Sequence, residues 1–159
     1  MFGIFKKSLE IIAPISGKVI DLSEVPDKVF AEKMAGDGVG IDSTGDTVVA
    51  PVDGTVVLIF KTNHAFAMRL DNGIELLIHI GIDTVELEGV GFERLIEEGS
   101  KVKMGEPVIK IDRSFITQKG YSLVTPVLIT NPDKLKEIKY NTNLTADAGK
   151  QTVITYKIK

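Results

Sequence analysis

The chain has 159 residues, 43% of them apolar and 26% charged, which suits one domain with a sizeable core and is too little for two ordinary domains. Its 19 basic and 22 acidic side chains leave a net charge of −3, which speaks against a nucleic-acid partner, because that binding needs basic surface to displace counterions. Cysteine is absent, which excludes disulfides, thiol catalysis and thiolate metal sites and fits a reducing, cytoplasmic setting.

In chain order, residues 1–12 are assigned to an N-terminal tail and residues 13–159 to a single domain. The tail places Phe2, Ile4 and Phe5 ahead of Lys6 and Lys7, the reverse of a secretory signal. The longest apolar run, Val56 to Phe60, has five residues. A spanning helix needs about 20, so no transmembrane segment is expected. Short runs rich in Val, Ile and Thr predict strands at Lys18 to Leu22, Thr55 to Lys61, Ala65 to Leu70, Ile74 to Ile80, Pro107 to Ile111, Thr125 to Thr130 and Thr152 to Ile158. The stretch Gly36-Asp37-Gly38-Val39-Gly40 reads as a loop. Helical signals are few. Phe92 to Glu98 and Ser114 to Lys119 are each stopped by a glycine, and Thr130-Asn131-Pro132-Asp133 offers an N-cap ahead of Leu135 and Ile138.

A phrase recurs. Ala13-Pro14-Ile15-Ser16-Gly17-Lys18-Val19-Ile20 matches Ala50-Pro51-Val52-Asp53-Gly54-Thr55-Val56-Val57. Each copy reads as a Pro-stiffened entry, a turn at Gly and a strand. Two similar β-motifs packed into one body follow. The fold class is therefore all-β, a sandwich or barrel with a few short helices.

There are only two histidines, His64 and His79. Imidazole offers a neutral nucleophile or base near neutral pH without special tuning. Between them lies Asp71-Asn72-Gly73, and Asn-Gly is a strong signal for a two-residue hairpin loop. That loop sets His79 opposite Phe66 and His64 opposite Gly81, with both rings on one face and Thr62 beside His64. A three-residue loop slips the register by one and sends the rings to opposite faces. The two-residue loop is the expectation. Two imidazoles fall short of a hydrolytic zinc site, which takes three protein ligands, unless Glu75 or Asp83 contributes. No Gly-x-Ser-x-Gly elbow and no phosphate-binding Gly-x-x-x-x-Gly-Lys-Ser/Thr loop occurs. What remains is one imidazole as a nucleophile toward phosphorus and the other as a hydrogen-bond donor to the phosphoryl oxygens.

At these residues the chain resembles the glucose-class enzyme IIA components of the bacterial sugar phosphotransferase system. The resemblance rests on Ala13 to Gly17, Val25 to Phe30, Gly36-Asp37-Gly38, Ala50 to Gly54, Thr62-Asn63-His64-Ala65, Leu77 to Val85 and Gly89-Val90-Gly91-Phe92. It implies a compact antiparallel β-sandwich of the barrel-sandwich type, a duplicated hybrid motif. It implies a phosphoryl carrier and phosphotransferase component. In that family His79 would be phosphorylated, as a tele-phosphohistidine, His64 would support transfer and Thr62 would orient an imidazole. The donor would be the phosphohistidine of HPr. The acceptor would be a cysteine on the enzyme IIB domain of a sugar permease, so contact with membrane would be peripheral only. Val29, Phe30, Phe60 and Phe66 would form an apolar docking ring, and Asp27 and Asp83 would meet basic partner residues. No cofactor is required, and zinc is an optional ligand of His64 and His79.

Three alternatives stand beside this. A regulatory module would act on transporters or kinases through the same apolar face. A zinc hydrolase would need further ligands. A biotinyl or lipoyl carrier is suggested by Glu98 to Val108, which resembles the Gly-x-x-Val-x-x-Gly-x-x-Val turn of those domains and would present Lys103 in a hairpin.

Overall fold

The computed structural model describes residues 8–159. Residues 1–7, with Lys6 and Lys7, lie outside the described residues. The rest of the expected tail does not behave as one, because Leu9–Ile12 is strand β1, Ile11 is fully buried, and the strand pairs with the last strand of the chain. The domain thus begins by Leu9.

The strands that follow are β2 (Gly17–Asp21), β3 (Asp37–Ser43), β4 (Thr47–Val49), β5 (Gly54–Ile59), β6 (Ala65–Arg69) and β7 (Glu75–His79). After them come β8 (Phe92–Arg94), β9 (Lys101–Val102), β10 (Pro107–Ile111), β11 (Val124–Ile129), β12 (Leu135–Tyr140), β13 (Thr145–Ala146) and β14 (Thr152–Ile158). Helices are short: α1 (Lys28–Ala31) and α2 (Arg113–Gln118), with a few 3-10 turns. All seven expected strands are present with ends shifted by a residue or two. None of the described helices is long and apolar enough to cross a membrane.

An eight-stranded sheet runs β13-β2-β3-β11-β7-β6-β5-β9, flanked by three-stranded sheets β1-β14-β12 and β4-β10-β8. Neighbouring strands are antiparallel throughout, as a β-sandwich requires. Along β6 and β7, Phe66, Met68, Leu76 and Ile78 point inward and are fully buried. They join Val39, Ile41, Val127 and Ile129 in the main core. A second, smaller cluster forms on the outer face of the same sheet, where Leu22, Val25 and Phe30 pack against Ile82 and Leu128. That outer layer is what brings α1 to the site.

The repeated phrase is structural. The Ile12 N–H donates to the Pro51 carbonyl at 3.0 Å and the Val49 N–H donates to the Pro14 carbonyl at 2.7 Å, so the residue ahead of each copy bonds to the proline of the other in a reciprocal exchange.

Three local expectations fail for physical reasons. Gly36 to Gly40 is not a loop, because Asp37–Ser43 is a central strand between β2 and β11. Its glycines admit close neighbours: a Cβ at Gly38 would lie 2.0 Å from the Val127 carbonyl oxygen and one at Gly40 would lie 2.7 Å from the Val25 side chain. Phe92 to Glu98 begins as β8, paired with β10, and is not a helix. After Asn131 the chain makes a single 3-10 turn at Pro132–Lys134 and then enters β12 along β14, so pairing overrides a weak helical signal. The expected helix at Ser114 to Lys119 is present as α2.

Candidate functional site

The site is built at one end of the β5-β6-β7 meander. The β6-β7 loop has three residues, Asp71, Asn72 and Gly73, closed by the Leu70 N–H to the Ile74 carbonyl at 2.9 Å and the Gly73 N–H to the Leu70 carbonyl at 3.0 Å. The Asn72 side chain takes the Ile74 N–H at 3.0 Å and so adds a member to the loop. The expected two-residue loop is therefore corrected. His79 lies opposite Ala65, and Phe66 opposite Ile78. His64 faces Ile80, whose N–H donates to its carbonyl at 2.7 Å, and does not face Gly81.

By strand alternation this register would part the two histidines. They meet nonetheless, with ring centroids 4.9 Å apart and planes at 82°. The reason lies in the β5-β6 connection. Asn63 has a left-handed φ of 57°, and its N–H donates to the Phe60 carbonyl at 2.7 Å. His64 follows at once, ahead of β6, so the pleat does not dictate where its ring points. Thr62 Oγ1 sits 2.5 Å from His64 Nδ1, within hydrogen-bond reach of the ring.

His79 ends β7 and is half-buried. Its Nδ1 lies 2.8 Å from the Gly81 carbonyl oxygen. A carbonyl only accepts, so Nδ1 carries the proton and Nε2 carries the lone pair. Gly81 has a φ of 82°, and a Cβ there would lie 2.6 Å from Thr84 Cγ2 and 2.8 Å from the Ser122 carbonyl oxygen. Thr84 is fully buried and its hydroxyl donates to the Ile80 carbonyl at 2.6 Å. The backbone that orients His79 is thus held from both sides.

Phe30 of α1 sits over His79, with centroids 4.9 Å apart, and Phe60 meets His64 edge-on at 5.3 Å. The Asp27 side chain caps α1 by accepting the Val29 N–H at 2.9 Å. Val29 is left 47% exposed, whereas Phe30 is only 7% exposed. The fourth expected member of the apolar ring is corrected: Phe66 is fully buried in the core, on the opposite face of the sheet from His79. Exposed Val85 and Leu58, which the sequence did not single out, border a concavity of about 680 Å³ that His64 and Arg94 also line.

Burial holds both imidazoles neutral. His64 is pushed down to about 4, first by desolvation and then by His79. His79 is also pushed down by burial, opposed by the Gly81 carbonyl and by the charges of Asp27 and Asp83. The arrangement can therefore present a neutral nucleophilic nitrogen at neutral pH, with a second imidazole in contact.

The alternatives find less support. Among the described residues no group of three or more His, Asp or Glu side chains could hold a metal ion by itself. Lys103 does not ride on a free hairpin, because the next two N–H groups are taken by Asp53 Oδ1 and the Ala50 carbonyl, each at 2.8 Å.

A family model described as phosphoenolpyruvate-dependent sugar phosphotransferase system, EIIA 1, matches residues 9–135. The glucose-specific EIIA component of the phosphotransferase system from Bacillus anthracis is 45% identical over 161 aligned positions, covering 100% of this chain and 98% of that protein. The N-acetylglucosamine-specific EIICBA component from Klebsiella pneumoniae is 50% identical over 123 positions, covering 77% of this chain and 19% of that longer protein. The solved structure of glucose permease IIA from Mycoplasma capricolum superposes with a TM-score of 0.81 at 36% identity, covering 94% of this chain and 97% of that one.

Proposed function

The chain belongs to the EIIA 1 family of the phosphoenolpyruvate-dependent sugar phosphotransferase system, and on that premise we propose that His79 Nε2 carries a phosphoryl group between two partner proteins. It is a phosphotransferase component that serves sugar uptake by passing phosphate to a IIB domain. We place it in the cytoplasm, with HPr as the donor and a IIB cysteine as the acceptor.

The observation that supports this most is the Nδ1–H of His79 on the Gly81 carbonyl. It leaves Nε2 as the one nucleophilic nitrogen of the ring. In the first step a bond forms from Nε2 to phosphorus while the nitrogen–phosphorus bond of the donor phosphohistidine breaks. The donor ring, protonated on its other nitrogen, leaves as neutral imidazole, and the Nδ1 proton of His79 stays in place. In the second step an acceptor thiolate forms a sulfur–phosphorus bond, the bond to Nε2 breaks, and His79 returns to its starting state. Neither step consumes or releases a proton at His79.

His64 acts on the charge. With the Thr62 hydroxyl donating to its Nδ1, its Nε2–H is available to a phosphoryl oxygen, and such donors matter most where charge develops. Phe30 and Phe60 exclude water, so that the phosphoryl group moves to a side chain and is not hydrolysed. Zinc would find two imidazoles here and would draw its remaining ligands from a partner carboxylate or water. The transfer derived above does not route through it.

The test is mass spectrometry of the chain after incubation with phosphorylated HPr. One phosphoryl group on His79, and none on the His79→Gln variant, is expected. Stable labelling of that variant would overturn the assignment.

A further inference from the structure

We infer that Arg94 is a positioning residue for His64, its guanidinium clasping the hairpin loop that carries Thr62 and His64 so that the ring is held in one tautomer and one place. This rests on the role given to His64 above.

Arg94 ends β8, in the three-stranded sheet β4-β10-β8, whereas the loop it binds belongs to the eight-stranded sheet. Its Nε donates to Asn63 Oδ1 at 2.8 Å and its Nη2 donates to the Phe60 carbonyl at 3.4 Å. One fork thus grips the first and last residues of the turn. The Phe60 carbonyl also accepts the Asn63 N–H. From the same side, Glu98 takes the Ile59 N–H at 2.9 Å, where β5 gives way to the loop.

The clasp has something to hold. Asn63 sits in the left-handed region, where an L-residue with a side chain carries a conformational cost. That one residue swings His64 out of the strand alternation and onto His79. If the turn relaxes toward ordinary strand geometry, the β6-β7 register sends the ring to the wrong face. Thr62 lies within the gripped segment and His64 directly follows it, so their 2.5 Å contact depends on the same turn. An exposed arginine usually remains solvated and mobile. Two directed bonds to one loop, from a different sheet, are a fixed geometry that the rigid guanidinium supplies and a lysine ammonium cannot.

The bland reading is a clasp that only stabilises the fold. Arg94→Ala and Arg94→Lys separate the two, since lysine keeps the charge and loses the fork. Nitrogen NMR of the free protein reads the His64 ring directly and needs no partner. In the parent a single neutral tautomer is expected, and in both variants a mixture. Transfer from the phosphorylated chain to a IIB domain should slow by about three- to tenfold in Arg94→Ala, because partial misplacement of a catalytic group costs rate. The same substitution should add nothing in a His64→Gln background. An unchanged His64 spectrum overturns the inference, as does equal slowing in both backgrounds, which would place Arg94 against the partner itself. Full rescue by Arg94→Lys also overturns it. If the NMR effect is present but HPr never labels His79, the positioning inference stands and the reading of the function fails.

Discussion

His79 donates its Nδ1 proton to the carbonyl of Gly81, two residues along its own chain, at 2.8 Å. The proposed nucleophile is therefore hydrogen-bonded to backbone and not to a second side chain. This explains why the residue after Ile80 is glycine. At a φ of 82° with the Ser122 carbonyl 2.8 Å from a would-be Cβ, any side chain must displace the carbonyl that aims the imidazole.

Gly81→Ala should cost about 1–3 kcal/mol of stability, from strain and from the clash. It should also slow phosphoryl uptake by more than the stability loss explains. Urea unfolding and the rate of labelling by phosphorylated HPr check the two parts. A variant of parental stability and parental labelling rate contradicts this account.

Two residues expected to ring the site, Phe66 and Val29, divide on substitution. Phe66 is fully buried opposite Ile78, so Phe66→Ala should cost about 3–5 kcal/mol and act on the fold. Val29, 47% exposed beside the site, should do the reverse. Val29→Ala should weaken HPr binding with little change in melting temperature. Calorimetric melting beside titration of HPr separates them, and a normal affinity for Val29→Ala removes that residue from the docking face.

That division shows how much the sequence carried. Strand runs were legible because Val, Ile and Thr alternate between glycines, and the repeat was legible because its two phrases match over eight positions. The histidine pair was legible as a pair, but by the wrong route. Asn-Gly read as a two-residue loop, yet the Asn72 side chain takes the Ile74 N–H and lengthens it. The register error put Phe66 at the site, and the left-handed Asn63 restored the histidine contact that the true register forbids. Helix α1 was invisible, since one turn has no periodicity, although Asp27 after Pro26 was its cap signal. Gly81 and Arg94 act through a carbonyl and a cross-sheet fork, which no local pattern announces.

His64 makes stability pH-dependent. Its folded-state pKa, about 4, lies below the ordinary value of 6.5. Between those values the unfolded chain binds the proton and the folded chain does not. Stability is therefore fully present above about pH 6.5 and falls as pH drops toward 4, by at most about 1.4 kcal/mol per pH unit. His79 is lowered too and adds in the same direction. His64→Gln should flatten this slope. Urea unfolding of both proteins from pH 7 to pH 4.5 checks it, and parallel curves would show that His64 is not the titrating group.

The charges around the nucleophile give the sharpest test of what the site accepts. Asp27 and Asp83 bear on His79, and both favour its protonated form. The same field repels a free phosphoryl anion while attracting a partner that brings its own cations. Neutralising the pair should thus act in opposite directions on two donors. With HPr, Asp27→Asn combined with Asp83→Asn should slow association at low salt, and the defect should shrink as salt rises, because exposed charges are screened over about 10 Å at 0.1 M. With a small anionic donor such as phosphoramidate, the same double variant should be labelled faster than the parent. Asparagine keeps the N-cap of α1, so the helix beneath Phe30 should persist. Labelling rates for both donors across a salt series decide the matter. Slower labelling by both donors would mean that the carboxylates shape the site and do not select its partner.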